Sequence, residues 1–303
     1  MIALSTCWQY APDMDLGAWL RTVKDIGFDA VELDYNLTRG HLEALPPLLD
    51  RLGLRVSSVH NFCPTPDDAP SPRHKSNYYR LSAIDEAERL KAVAWTCRSI
   101  DTAVRFSARA VVIHAGAVDF EDERSTRLRD LFKAGHKGTP EYAAELQRVL
   151  TNRKRLAGPH RAAVRASLEA VLAYAQRHGR VLGFESRYYP LEIPNFEEVG
   201  LFLEDFYDQG LRYWHDMGHA QMNEKLGITA NQRFLQAYHG RMAGVHLHDM
   251  KGVKDHQAPF AGELDWDALL PYVRACPLLV FEVKKATAGE LADALSRFKQ
   301  ALP

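Results

Sequence analysis

The chain has 303 residues, 46% hydrophobic and 25% charged, with a formal net charge of −1 at neutral pH. That length suits one α/β barrel, or two domains of about 150 residues, and the composition supplies a sizeable core. The near-zero charge argues against a protein that coats nucleic acid over its whole surface, though not against a local basic groove.

Eight short apolar, β-branched runs alternate with longer helical patterns. In chain order the strand candidates are Ile2–Trp8, Ala30–Asp34, Arg55–His60, Ala110–His114, Val181–Glu185, Leu211–Asp216, Gly244–His248 and Leu278–Glu282. Between them, Leu16–Ile26, Ile84–Phe106, Phe196–Phe206 and Ala288–Phe298 carry apolar residues at helical spacing. Val111–Ile113 and Leu278–Phe281 are apolar without alternation, as expected of strands covered on both faces of a parallel sheet. Repeated β-α units predict a parallel sheet clothed in helices, and an eight-fold repeat permits closure into a (β/α)8 TIM barrel. Most of the strand candidates close on His, Asp or Glu. A barrel gathers such ends at one mouth, whereas the competing doubly wound open sheet keeps most of them apart. No G-x-G-x-x-G or G-x-x-x-x-G-K-[ST] sequence supports a nucleotide site. The expected organisation is a single barrel domain over 1–303.

One connection is oversized. More than sixty residues separate His114 from Val181. Asp119–Lys137 is strongly charged, Thr139–Pro140 reads as a helix start, and Tyr142–Leu150 and Ala162–Arg177 are periodic. A helical insertion or lid is expected over about 119–160, after the fourth strand. It is either a solvated hairpin or a basic face that attracts an anion; from Glu121 to Arg165 eleven Lys/Arg stand against six Asp/Glu.

Glu185, Asp216, His246 and Glu282 each lie at or near the end of a strand candidate. An ionised carboxylate in such a place is costly unless paired or bound to a cation, with Arg187, Lys251 and Lys284 as available partners. Three carboxylates and an imidazole aimed at one mouth would repel one another, and a divalent ion relieves that. The donor set suits Mn²⁺, Mg²⁺, Co²⁺ or Zn²⁺.

The segments F-D-A-V-E-L-D, S-V-H-N, V-I-H-A-G, F-E-S-R, H-D-M-G-H-A, V-H-L-H-D-M-K-G and F-E-V follow one another from the second strand to the eighth. In that order they resemble the xylose-isomerase-like superfamily of barrels, which includes sugar isomerases and epimerases, inosose-processing enzymes and abasic-site nucleases of the endonuclease IV type. The resemblance implies that Glu185, Asp216, His246 and Glu282 hold one divalent metal, Mn²⁺ foremost. It also implies that Glu185 and Glu282 are catalytic, flanking the substrate carbon that exchanges a proton through an enediolate. His60, His114, Arg187, His219, His248, Lys251 and His256 are the expected substrate-binding shell, with Glu32 at the second strand end and Trp8 and Phe62 as either apolar walls or core. The expected substrate is a sugar or polyol, with dehydration of the inosose type as the alternative chemistry.

The nuclease branch uses nine ligands, and eight positions match here: His60, His114, Glu185, Asp216, His219, His246, His256 and Glu282. The ninth, an Asp, is Lys254, and an ammonium does not ligate. Asp255 is adjacent, but a one-residue offset is expected to turn it away. The G-x-G that should follow is Phe260–Ala261–Gly262. Nucleic acid is therefore not the expected partner.

The four cysteines, Cys7, Cys63, Cys97 and Cys276, form no C-x-x-C pair, no leader pattern is visible, and no run approaches the roughly 18 apolar residues of a membrane span. A cytoplasmic protein is expected, with homo-oligomerisation open.

Overall fold

The computed structural model describes residues 1–68, 78–120 and 126–302. Residues 121–125, part of the expected insertion, lie outside these. Eight parallel strands close into a barrel: β1 (Ile2–Ser5), β2 (Ala30–Leu33), β3 (Arg55–His60), β4 (Ala110–Ile113), β5 (Val181–Glu185), β6 (Leu211–Asp216), β7 (Met242–Leu247) and β8 (Leu278–Phe281). β1 pairs in parallel with both β2 and β8, so no open edge remains and the doubly wound sheet is excluded. With its surrounding helices this is the (β/α)8 architecture expected from the repeat.

The barrel interior is small residues arranged around one large one. Ala3, Ala30, Ala110, Val112, Ala243, Leu278 and Val280 enclose the Trp214 indole. Gly183 and Gly244 leave room for it: a Cβ on either would come within 2.7 Å and 2.2 Å of the ring. Trp214 in turn supports His246, with ring centroids 5.1 Å apart, so the plug of the barrel is also the floor of its mouth. A larger core lies between strands and helices, as two-faced burial of A-V-V-I and L-L-V-F requires.

The helices start where their caps dictate. The helix Leu16–Ile26 begins at Asp15, whose carboxylate accepts from Ala18 N, and stops at Gly27 with φ +104°. Asn195 and Glu198 form a reciprocal capping box for Phe196–Phe206. β6 passes straight into the helix Met217–Leu226 with Asp216 itself as the N-cap, accepting from His219 N at 2.7 Å.

The insertion differs from expectation in one respect. Tyr142–Leu150 and Ala162–Arg177 are not two helices but parts of one, Pro140–Arg177, which continues through Pro159. A proline inside a helix costs about 3 kcal/mol. Buried contacts on both sides of it, from Arg153 and Ala157 through His160 and Val164, offset that cost. The outer face of this helix is solvated, with Lys154, Arg155 and Arg161 exposed, while its inner face is docked. Arg153 is buried and clasps Glu198 at 2.7 and 3.0 Å, and it donates to the carbonyls of Pro190 and Glu192. A short helix, Arg127–Lys133, precedes it. Just beyond β4, Gly116–Ala117 pairs antiparallel with Glu192–Ile193, tying the β4 exit to the β5 exit.

Candidate active site

At the carboxyl rim of the barrel, ligand atoms of Glu185, Asp216, His246 and Glu282 all lie within 4.8 Å of one another. The four residues are 0–3% exposed. His246 Nδ1 is the hub, 2.6 Å from Glu185 Oε1, 3.3 Å from Glu282 Oε2 and 3.5 Å from Asp216 Oδ2. Its other nitrogen, Nε2, lies 3.1 Å from Glu32 Oε1, and Ser58 Oγ donates to Glu32 Oε2 at 2.7 Å. Glu32 therefore stands behind the imidazole and fixes which nitrogen faces the cluster.

The electrostatics favour positive charge at the centre of the cluster. Burial opposes charge on His246, yet Glu282, Glu32, Asp216 and Glu185 together push its pKa well up. Burial, with the charges of Asp216 and Glu185 added, pushes Glu282 up to about 8 against the opposing pull of His246 and Lys284. Among the described residues none donates a hydrogen bond to the buried Glu282 Oε2. Three hard oxygen donors, one imidazole nitrogen and an unsatisfied carboxylate oxygen fit a divalent ion of the Mn²⁺, Mg²⁺, Co²⁺ or Zn²⁺ type. Arg187 complicates the picture for Glu185. Its guanidinium bridges Glu185 Oε2 at 2.5 Å and Glu192 Oε1 at 2.6 Å, so one of the anticipated ion pairs does form.

Above the cluster opens a cavity of about 290 Å³. Of the four cluster residues Glu185 and Glu282 line it, whereas Asp216 and His246 lie behind them. His60, His114, Arg187, His219 and His256 also line it. His114 Nε2 sits 2.5 Å from Glu185 Oε2 without the alignment of a hydrogen bond. Burial and neighbouring cations depress the pKa values of His60, His114 and His256, leaving neutral imidazoles at the mouth. His219 reaches the site because strand runs directly into helix; its Nδ1 lies 2.9 Å from the Ser186 carbonyl.

Two expected contacts are not brought there. His248 is buried behind the mouth, its Nε2 3.0 Å from Asp216 Oδ1, where it steadies that carboxylate. Gly218 makes room for it, since a Cβ there would lie 2.2 Å from the His248 ring. Lys251 is exposed on the hairpin formed by Asp249–Lys251 and Lys254–Gln257: the short strand buries Met250 and turns the next side chain to solvent. Trp8 and Phe62 are core and do not line the cavity; Trp8 Nε1 donates to Ala286 O at 2.7 Å.

Asp255 corrects the expected offset. Its carboxylate does join His219 and His256, with ligand atoms within 4.8 Å of one another. His256 has φ +55°, and that left-handed residue breaks strand alternation, so consecutive side chains both face the mouth. The sequence carries no marker of that backbone. Glu192, Lys284, Tyr35, Tyr188, Tyr189 and Arg129 also line the cavity. Glu192 is placed by its pairing with the β4 exit, which no local pattern announces; Lys284, two residues past Glu282, could have been read from F-E-V-K. Asp249, in V-H-L-H-D, shapes the loop instead, accepting from Met250 N, Glu263 N, Leu264 N and Trp266 Nε1.

The closed barrel with a ligand cluster at its carboxyl rim defines the class: a TIM barrel built around a candidate metal centre. The chain belongs to the xylose isomerase-like TIM barrel family, which matches residues 20–300. No curated protein matches the sequence. Among solved structures it is similar to the 3-keto-D-glucoside 4-epimerase YcjR of E. coli, with TM-score 0.69 and 17% identity over 99% of this chain and 98% of that one. An L-ribulose 3-epimerase gives 0.68 and 16% over 99% and 94%. The D-allulose 3-epimerase of Methylomonas sp. gives 0.69 and 13% over 99% and 97%. At these identities the likeness is one of fold. Among the described residues no helix is long and apolar enough to cross a membrane.

Proposed function

We propose that the chain is a divalent-metal-dependent sugar isomerase or epimerase in which Glu185, Asp216, His246 and Glu282 hold the ion, Mn²⁺ foremost. The observation that carries this reading is the division within the cluster: all four converge, but only the two glutamates also face the cavity. When bound, the cation would polarise a carbonyl and its neighbouring hydroxyl and so acidify the C–H between them. Glu185 and Glu282 are the bases that remove and return that proton. Arg187 holds Glu185 Oε2 in place, His60, His114 and His256 supply neutral hydrogen-bonding groups for hydroxyls, and His219 adds a further ring to the lining. The family, and the sugar epimerases among the similar folds, support this reading. The test is to incubate the metal-loaded protein with a ketose and inosose panel and separate the products. An epimer or isomer is expected; an enone from water loss points to the dehydratase reading instead.

One observation favours a second reading. His219, Asp255 and His256 form a further ligand group, as a multi-metal abasic-site nuclease would require. Metal content separates the two: a single ion per chain, lost in His246→Ala, fits the isomerase, whereas additional ions together with cleavage of abasic DNA would favour the nuclease.

A further inference from the structure

The entry ends of the strands, opposite the mouth, carry a charge pattern of their own. Arg55 opens β3, Arg109 and Arg180 stand immediately before β4 and β5, Arg212 is the second residue of β6, and Arg241 immediately precedes β7. Acidic side chains are as plentiful in the chain as basic ones, 39 Asp and Glu against 38 Lys and Arg. Yet among the described residues none of these guanidiniums lies in an ion pair with a carboxylate. Like charges gathered at one end of a barrel build a positive potential that draws anions from solution.

Three of the arginines line one cavity. Arg109, Arg180 and Arg212 border a space of about 440 Å³, and its lining among the described residues includes no carboxylate. Val181, Ala243 and Leu278 line it too and also pack around Trp214, so the cavity lies beneath the barrel plug. Arg212 is held in place: its Nη1 donates to the carbonyls of Tyr207 and Leu211, and its guanidinium lies 3.8 Å from the centroid of the Tyr207 ring. Arg109 is exposed and makes no side-chain hydrogen bond among the described residues. None of them accepts from the buried Arg180 Nε either.

The planar fork of a guanidinium matches the oxygens of a phosphate, and convergence of several such forks is how arginine holds that group. The cavity falls within the range of about 300–1,000 Å³ usual for small-molecule sites, far more than a bare phosphate fills. Met242, Pro277 and Leu278 give the remaining space an apolar side.

We propose that the floor of the barrel is a binding site for a small organic phosphate. Its phosphate group rests on Arg109, Arg180 and Arg212, and its apolar body lies against Met242, Pro277 and Leu278. The site stands apart from the cluster at the mouth and does not depend on the chemistry there.

The test is titration calorimetry of the full-length protein with three probes: phenyl phosphate, inorganic phosphate and phenol. Phenyl phosphate is expected to bind about tenfold or more tighter than either of the others, because it alone satisfies both halves of the site. Arg109→Gln and Arg180→Gln should each weaken it by about tenfold, the usual consequence of losing a charge-assisted hydrogen bond. Arg109 is exposed, so its replacement leaves the core untouched. Lys284→Gln, which alters the cavity at the mouth, should change the affinity by less than about twofold. Four results would overturn the proposal. Phenyl phosphate that does not bind would mean that the arginine stems only cover the end of the barrel. Affinity lost in Lys284→Gln but kept in both arginine variants would place the phosphate at the mouth. Phenol binding as tightly as phenyl phosphate would remove the role of the guanidiniums, and inorganic phosphate doing so would remove that of the apolar side.

Discussion

The imidazole of His246 faces three carboxylates with one nitrogen and Glu32 with the other, so its orientation depends on a residue that is not itself in the ligand cluster. Loss of such a supporting carboxylate commonly costs 10–100-fold in metal affinity. Glu32→Gln is therefore expected to weaken binding by about that factor with the fold intact, as measured by competition with a chelator; unchanged affinity would show that Glu32 is only packing. Glu282 gives a prediction in pH. Its carboxyl, raised to about 8, keeps its proton at neutral pH, and a cation can use it only after that proton leaves. Metal affinity should thus rise as pH climbs from about 6 towards about 8, and rise further until His246, whose pKa the same carboxylates push well up, has also released its proton; that release should be visible by titration calorimetry in buffers of different ionisation heat. An affinity flat across that window would contradict the assignment. The strand-end residues of the candidate cluster could be read from sequence because Glu185 and Glu282 close apolar runs and His246 sits within one. Asp255 could not, since its direction depends on the left-handed backbone at His256.

The helix Pro140–Arg177 is anchored by the buried pair Arg153–Glu198. Removing one partner of such a pair leaves an uncompensated buried charge and costs about 3–5 kcal/mol. Arg153→Met should lower unfolding stability by about that amount in urea, and adding Glu198→Gln should recover part of it; a neutral Arg153→Met would mean that the insertion is not docked through this contact. The periodicity of the insertion was legible on either side of Pro159 but its continuity was not. Local propensity breaks a helix at proline, whereas tertiary contacts decide here: His160 Nε2 accepts from Asp119 N at 3.1 Å, and its Nδ1 lies 2.8 Å from the Ser82 carbonyl. The same holds for Glu192, which is placed by pairing across two loops that are far apart in sequence.

At the scale of the whole molecule, closure brings residues 30 to 97 positions apart to one rim, and one indole fills the space beneath them. Gly244→Ala would drive a methyl to within 2.2 Å of Trp214, an overpacking expected to cost about 1–3 kcal/mol and to loosen His246 above it. A lower midpoint in denaturant, together with weaker metal binding, checks both. Eight apolar runs, seven of them ending in acids or imidazoles, made the barrel legible. The Trp214 plug was not, because which face of a two-sided apolar strand points inward has no signature in composition. The central claim is that two of the four clustered residues exchange a proton with the substrate. It is tested most directly by solvent deuterium incorporation into a ketose or keto-sugar panel by the metal-loaded protein. Uptake at one carbon beside the carbonyl is predicted, and it should be lost in both Glu185→Gln and Glu282→Gln when each still binds metal. Uptake that persists in either metal-bound variant, or its absence from the unaltered protein with every sugar, would contradict the account.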